Sequence, residues 1–180
     1  APDRPTYLRR PDLGRRLADG EAEKLPTGPF DVVFVVADGL SAAAVNENAV
    51  AALEATARRL EGLSIGPVVL ARQARVALGD VVGAAMNASV VAVLIGERPG
   101  LTAADSLGAY LTFRPVPGRK DSERNCLSNI HAHGQSPDEA GHKLGWLIRE
   151  ALRLKLTGVD LKEAAPKFAV DAGGKMPRIS

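Results

Sequence analysis

The stretch DVVFVVAD, residues 31–38, decides the fold that the sequence predicts. Between its two aspartates it is continuously apolar and rich in valine, which is typical of a strand buried on both faces. Ser41 follows as an N-cap candidate, and apolar residues at helical spacing then continue to about Leu60. Gly62 stops that pattern, so the stretch predicts a buried strand that leads directly into a long helix.

The same alternation of strand and helix continues along the chain. Residues 65–72, 89–95 and 107–113 are predicted to be further strands, and residues 78–86 a short helix. This order indicates an α/β fold, a Rossmann-like parallel-sheet domain with helices on both faces, which we place at residues 31–165. The strand at 107–113 is expected in an edge or antiparallel position.

The segments around these strands are less regular. Residues 1–30 contain five prolines and mixed charge, so we expect an extended N-terminal arm with one helical turn around Leu13–Leu17. Residues 114–135 are predicted to form one long loop, which is ordered because it holds several apolar side chains. Residues 166–180 are expected to be a weakly structured C-terminal tail.

A helix is predicted from Ser136-Pro137-Asp138-Glu139 to about Thr157. Serine at the N-cap, proline in the first turn and glutamate three residues after the serine form a capping-box pattern. Apolar residues occupy more than one side of this helix, and Trp146 lies off the main stripe. We therefore expect the helix to be deeply buried or to pack against a partner.

Composition excludes several classes of function. The 180 residues carry a net charge of only +2 and 4% aromatic residues, so neither a basic stripe nor a stacking platform for nucleic acid is expected. No apolar run is long enough to cross a membrane, and the N-terminus has no signal-peptide pattern. Cys126 is the single cysteine, which fits a reducing cytoplasm. Because residue 1 is not methionine, we expect a fragment or a processed form.

Polar residues follow three of the predicted strands, at the point where each strand ends. They lie in Asp38–Ser41, in the stretch from Arg72 to Asp80, and in Gly96-Glu97-Arg98. In open α/β sheets, ligands bind outside the carboxyl ends of the strands. The sequence therefore predicts a polar ligand site at this edge, although solvated turns, with Asp80 near a helix start, would give a similar pattern.

No complete catalytic set is present in the sequence. The glycine-rich phosphate loops and the hydrolase motif G-x-S-x-G are absent, and Ser41 resembles a hydrolase nucleophile only loosely. Cys126, His131 and His133 could ligate zinc, but their spacing fits no standard site, and loop packing is the expected role of the histidines. Cys126 alone fits a small buried hydrophobe better than a nucleophile. These residues favour a binding subunit over a free-standing enzyme.

Seven short stretches in order along the chain resemble the small subunit of ethanolamine ammonia-lyase. Those with the highest specificity are GERPG (96–100), DSLG (105–108) and ERNC (123–126), supported by RVALGD (75–80). The resemblance spans about residues 7–163. It implies a Rossmann-like subunit of an adenosylcobalamin-dependent lyase, which converts ethanolamine to acetaldehyde and ammonia by radical chemistry together with a large catalytic subunit in a hetero-oligomer.

The resemblance also implies where the cofactor is held. Family contacts to the corrinoid fall on positions that match Val76, Glu97 and Cys126, and none of the three has a catalytic role. An ionised Glu97 would accept hydrogen bonds from the amide groups of the corrin ring. The motif D-x-H-x-x-G of base-off cobalamin domains is absent, so no histidine is expected to ligate cobalt. The Asp38–Ser41 turn and Arg98 are additional candidates because of their places at the strand ends.

The resemblance implies two further expectations and leaves two alternatives open. The N-terminal region of the family is expected to be missing from this chain, and the enzyme is expected in the cytoplasm, inside a bacterial microcompartment. The first alternative is a scaffold subunit that packs on a partner through Trp146 and binds no ligand. The second is an independent α/β hydrolase that uses Ser41.

Overall fold

The computed structural model describes residues 1–97 and 104–168, in which five strands form one sheet. The strands are β1 (Phe30–Ala37), β2 (Val69–Ala71), β3 (Ala88–Gly96), β4 (Leu107–Phe113) and β5 (Asn125–Ile130). The helices are α1 (Arg4–Arg9), α2 (Ala42–Ala57), α3 (Leu78–Ala85) and α4 (Pro137–Leu154). Arg98 and most of the predicted tail, residues 169–180, lie outside the described residues.

The sheet is mixed, with the strand order β2-β1-β3-β4-β5. β1 pairs in parallel with β2 and β3, whereas β4 is antiparallel to both β3 and β5. The predicted parallel sheet is therefore limited to three strands. The physical reason is the length of the connections: ten residues between β3 and β4 are fewer than a parallel crossover needs, so the chain returns antiparallel. The sequence predicts either an edge position or an antiparallel orientation for β4. The antiparallel orientation is confirmed, and β5 forms the edge of the sheet on that side.

Helices cover both faces of the sheet, and this explains the continuous apolar runs of β1 and β3. Because side chains alternate along a strand, Val32 and Phe34 face one core while Val33 and Val35 face the other. α2 and α4 pack on the first core, and α3 packs on the second. Both faces of the central strands are therefore shielded from water. Polar side chains reach solvent only at the ends of these strands.

The prediction of one long loop at residues 114–135 was wrong. The segment contains a 3-10 turn at Asp121–Glu123 and the edge strand β5. The sequence did not predict β5 because Cys126 and Ser128 are exposed on this strand, and only Ile130 is fully buried. An edge strand with one solvated face has too few apolar residues to be distinguished from a loop.

The N-terminal segment is more structured than the extended arm that the sequence predicts. It contains α1 and 3-10 turns at Leu13–Arg15 and Ala22–Lys24, the first of them within the predicted helical turn. Tyr7 on α1 is completely buried, and its hydroxyl donates a hydrogen bond to the carbonyl of Ala74 over 3.0 Å. Arg4 donates to the carbonyls of Gly39 (2.6 Å) and Leu40 (2.9 Å). The segment therefore packs against the ends of the strands.

Both predicted N-caps are confirmed. The Ser41 hydroxyl accepts a hydrogen bond from the backbone of Ala44, and the Ser136 hydroxyl accepts one from that of Glu139, each over 3.2 Å. The Glu139 carboxylate pairs with Lys143 instead of returning to the N-cap, so only half of the capping box forms. The two helices end about three residues earlier than predicted. Within the described parts of the chain, no helix combines the length and apolar character of a membrane span.

A buried ion pair joins α3 to the segment that leads into β5. Arg124 donates to both carboxylate oxygens of Asp80 over 2.6 and 2.7 Å, and the exposed fractions of the two side chains are only 3% and 1%. Arg124 also donates to the hydroxyl of Thr112 on β4 and to the carbonyl of Arg119, each over 2.9 Å. This geometry holds α3, β4 and the start of β5 in one arrangement.

We expect Asp80→Ala or Arg124→Ala to lower the free energy of unfolding by about 3–5 kcal/mol, because each leaves its partner charge buried and unpaired. The measurement is urea unfolding of each variant. The double variant Asp80→Leu with Arg124→Met should cost much less than the two single losses combined, since it leaves no charge behind.

The exposed pair Arg58–Asp138 is the matched control, because both side chains are more than 60% exposed. Arg58→Ala should cost at most about 1 kcal/mol. Equal losses for Arg58→Ala and Arg124→Ala would show that the buried pair does not hold the elements together.

Candidate functional site

An open cleft of about 310 Å3 lies at the carboxyl ends of β1 and β3, where the sequence predicts a ligand site. Its lining comes from α1, from the turns after β1 and before α3, from the end of β3, and from β4. The lining residues are Tyr7, Gly39, Leu40, Arg75, Val76, Ile95, Gly96, Glu97 and Tyr110. Two of the three residues implied by the resemblance, Val76 and Glu97, therefore line one cleft.

Two glycines let the turn after β1 approach the end of β3. Gly39 has a φ of +52°, which side chains disfavour, and the next residue, Leu40, donates to the carbonyl of Gly96 over 2.8 Å. A Cβ atom on Gly96 would collide with the backbone of Ser41 and Asp38. The close contact of these two turns forms one end of the cleft.

Glu97 is the first residue after β3, and its carboxylate lies over β4. The backbone N–H of Glu97 donates to the carbonyl of Ser106 over 2.9 Å, and its Oε1 accepts a hydrogen bond from the hydroxyl of Tyr110. A Cβ atom on Gly108 would collide with this carboxylate, so a larger residue at position 108 would displace it. The abrupt change from apolar strand to charge therefore places a carboxylate in a fixed position above its neighbour strand.

Tyr110 connects Glu97 to Cys126. It hydrogen-bonds to Glu97 and lies directly opposite Cys126 in the register of β4 and β5. Loss of hydration raises the pKa of Tyr110 far above its usual range, and the bond to Glu97 raises it further, so the hydroxyl remains a donor. Sequence reasoning missed Tyr110. The available signal was its spacing, since Gly108 and Tyr110 lie on the same face of a strand next to Glu97.

Cys126 is an exposed residue of β5, opposite Tyr110, and is therefore not the small buried hydrophobe that the sequence favours. Lost hydration raises the pKa of Cys126, a hydrogen bond with Tyr110 partly offsets this, and the Glu97 carboxylate raises the pKa again. The thiol is therefore neutral at physiological pH and is a poor nucleophile. The structure thus brings Glu97 and Cys126 together through Tyr110, and Val76 lines the same cleft.

Three other strand-end residues, Asp38, Asp80 and Ser41, form contacts within the protein. Asp38 accepts a hydrogen bond from the backbone of Gln73 over 2.6 Å, and Asp80 belongs to the buried ion pair. The Ser41 hydroxyl caps α2 and donates to the carbonyl of Ala104. Among the described residues, no histidine hydrogen-bonds to Ser41, so the hydrolase hypothesis has no support in this geometry.

The amide side chains of Asn125 and Asn129, in the ERNCLSN stretch, also have partners within the protein. The Asn125 amide accepts from the backbone of Gly158 (2.8 Å) and donates to the carbonyl of Leu161 (2.6 Å). The Asn129 amide oxygen lies 2.7 Å from Nε2 of His131. No group of three histidine, cysteine or acidic side chains placed to hold a metal ion occurs in residues 1–97 and 104–168.

We expect alkylation of Cys126 by iodoacetamide to show a midpoint above pH 9.0, the ordinary thiol value, because only the thiolate reacts. Glu97→Gln should lower this midpoint, since it removes a nearby negative charge, and Tyr110→Phe should raise it. Cys126 is the only cysteine, so the rate reports this position alone. A profile that Glu97→Gln leaves unchanged, as the distant control Glu54→Gln should, would contradict the described cluster.

Comparison with known proteins identifies the relatives of this chain. The family model for the ethanolamine ammonia-lyase light chain (EutC) matches residues 1–162. An ethanolamine ammonia-lyase small subunit from Bradyrhizobium diazoefficiens is 52% identical, over 98% of this chain and 70% of its own length. Proteins of the same name from Xanthomonas campestris pv. campestris (strain B100) and Azotobacter vinelandii are 55% and 47% identical, over 93% and 98% of this chain. The chain spans 64% of the Xanthomonas protein and 68% of the Azotobacter protein, about two thirds of each.

Proposed function

Because the chain belongs to the ethanolamine ammonia-lyase light chain (EutC) family, we propose that it acts as the small subunit of an ethanolamine ammonia-lyase. In this proposal, the chain helps to bind adenosylcobalamin at an interface with a large subunit. The cofactor supplies the radical chemistry for the conversion of ethanolamine to acetaldehyde and ammonia. The residues of this chain bind and orient the cofactor, and none of them is catalytic.

The observation that carries the proposal is that Val76 and Glu97 line one cleft, while Cys126 lies opposite Tyr110, which lines the same cleft. A corrin ring carries many amide groups, which need both acceptors and donors. Oε1 of Glu97 is held by Tyr110, while Oε2 accepts no hydrogen bond from any described residue. Because no described residue donates to this oxygen, we infer that it accepts a hydrogen bond from a cofactor amide N–H. The backbone N–H of Val76 donates to no described residue, and it is a suitable donor to an amide oxygen.

The size of the cleft fits a shared site. An open cleft of about 310 Å3 cannot enclose a corrinoid, but it can hold one edge of the ring with its amide side chains. The rest of the cofactor then contacts the large subunit. Cys126, on the edge strand, adds a small side chain that permits close approach. Under this proposal the parallel strands β2-β1-β3 represent the Rossmann-like part of the family fold.

The scaffold alternative differs from the proposal in one testable respect. A scaffold would bind the large subunit through surfaces such as that around Trp146, and the cleft would remain without a ligand. In the structure, Trp146 is partly buried against the core of its own chain. Location in the cytoplasm, inside a bacterial microcompartment, forms part of the proposal and rests on the family resemblance.

We expect Glu97→Gln to weaken the binding of adenosylcobalamin to the assembled complex about tenfold, because a charge-assisted hydrogen bond is lost. Spectrophotometric titration of the complex with the large subunit measures this affinity. Glu54→Gln makes the same chemical change at an exposed position near the far end of α2, and it should leave the affinity unchanged.

Reconstitution tests the proposal as a whole. The large subunit with adenosylcobalamin should not turn over ethanolamine until this chain is added. Full turnover without the chain would overturn the proposed role. Unchanged cofactor affinity in both Glu97→Gln and Cys126→Ala would support the scaffold alternative.

A further inference from the structure

A second cleft, of about 420 Å3, lies next to the first, on the side of α3. The two clefts share three lining residues, Arg75, Val76 and Tyr110. The two clefts are therefore adjacent, and a large ligand bound in the first can extend toward the second. We call the second one the cationic cleft because of the charges that line it.

Four cations, Arg15, Arg75, Arg119 and Lys120, line the cationic cleft, against the single carboxylate of Asp121. Arg119 is already occupied, because it pairs with Glu123 over 2.5 Å and donates to a backbone carbonyl. Arg15, Arg75 and Lys120 form no ion pair with any described residue. The cleft therefore presents an excess of positive charge that the described parts of the chain do not neutralise.

Arg75 is held in place before any ligand arrives. Its guanidinium lies over the ring of Tyr7, 4.4 Å from the centroid, and Tyr7 is itself fully buried. The backbone N–H of Arg75 donates to the carbonyl of Gly14 over 2.8 Å, and a Cβ atom on Gly14 would crowd the Arg75 side chain at 2.9 Å. The Nε atom of Arg75 is buried and has no hydrogen-bond partner in the structure. This arrangement orients the guanidinium at the junction of the two clefts.

We propose that the cationic cleft binds the phosphodiester of the cofactor's nucleotide loop. The inference rests on the proposed function, which places the corrin amides in the first cleft. A corrinoid that keeps its own lower base carries many neutral amides but only one phosphate. Guanidinium and ammonium groups are the side chains that bind phosphate oxygens best. The two clefts thus match the two chemical parts of one ligand, with Glu97 serving amides and Arg75 and Lys120 serving the anion.

An acidic segment of the large subunit would also be attracted to this charge. The adjacency of the two clefts, which share Val76 and Tyr110, favours the cofactor, since its ring and its phosphate are covalently joined. The following experiment distinguishes the two, because loss of a cation would weaken cofactor binding in one case and subunit association in the other.

The test uses the assembled complex and three probes: adenosylcobalamin, adenosylcobinamide phosphate and adenosylcobinamide. Only the first two contain phosphate, and only the first contains the lower base. Arg75→Gln and Lys120→Gln should each weaken binding of both phosphate-containing probes about tenfold. Binding of adenosylcobinamide should stay within about twofold, and the affinity is again measured spectrophotometrically.

Arg16→Gln is the matched control, because it makes the same change one residue from Arg15, and its exposed guanidinium is already near Asp12, 3.6 Å away. It should affect none of the probes. Lys120 is exposed and supports no packing, so its variant decides the question if Arg75→Gln fails to fold.

Three results would overturn the inference. Equal weakening of all three probes would show that the cations only shape the cleft. Unchanged binding of all three would show that the cations do not contact the cofactor. Weaker subunit association with unchanged cofactor affinity would assign the cleft to an acidic segment of the large subunit. If Glu97→Gln still weakens every probe in these cases, the proposed function stands and only the phosphate site fails.

Discussion

The pair between Asp80 and Arg124 is the interaction on which the site depends. It joins the first turn of α3, and hence the turn that carries Val76, to the residues directly before Cys126 on β5. Its contact with Thr112 adds β4, the strand that carries Tyr110. A buried, bidentate pair permits little movement between its elements, because a shift would leave charges without partners. Val76, which lines the cleft, and Cys126, which lies opposite the lining residue Tyr110, are thereby held in one arrangement.

Two tyrosines keep the acceptor Glu97 and the cation Arg75 from pairing with each other. Glu97 is fixed by Tyr110 above Gly108, and Arg75 is fixed above Tyr7. Each charged group is therefore bound to a rigid aromatic neighbour and not to the other. Groups that are oriented in advance lose less entropy when a ligand binds. A site built in this way suits a large ligand with separate amide and phosphate parts.

Much of the fold could be predicted from the sequence, but less of the site. The apolar runs of β1 and β3 indicated buried strands, and serine N-caps marked two helices, because these signals are local. β5 and α1 were missed, since an edge strand and a short helix bury few residues and their stability comes from contacts far away in the chain. Glu97 could be predicted as a ligand-binding residue from its position at the end of a strand. Its grouping with Val76 and Cys126 came from the family resemblance. Tyr110, Arg75 and the Asp80–Arg124 pair have roles that only the packing of distant segments reveals.

The central claim is that Val76 and Glu97, in the cleft, and Cys126, beside Tyr110, all contact the cofactor. The most direct measurement is the alkylation rate of Cys126 in the complex with the large subunit, with and without saturating adenosylcobalamin, read out by mass spectrometry of the modified peptide. We predict that the cofactor slows alkylation at least tenfold, because the ring would cover the thiol. An alkylation rate that the cofactor leaves unchanged, in a complex shown to have bound it, would contradict the account.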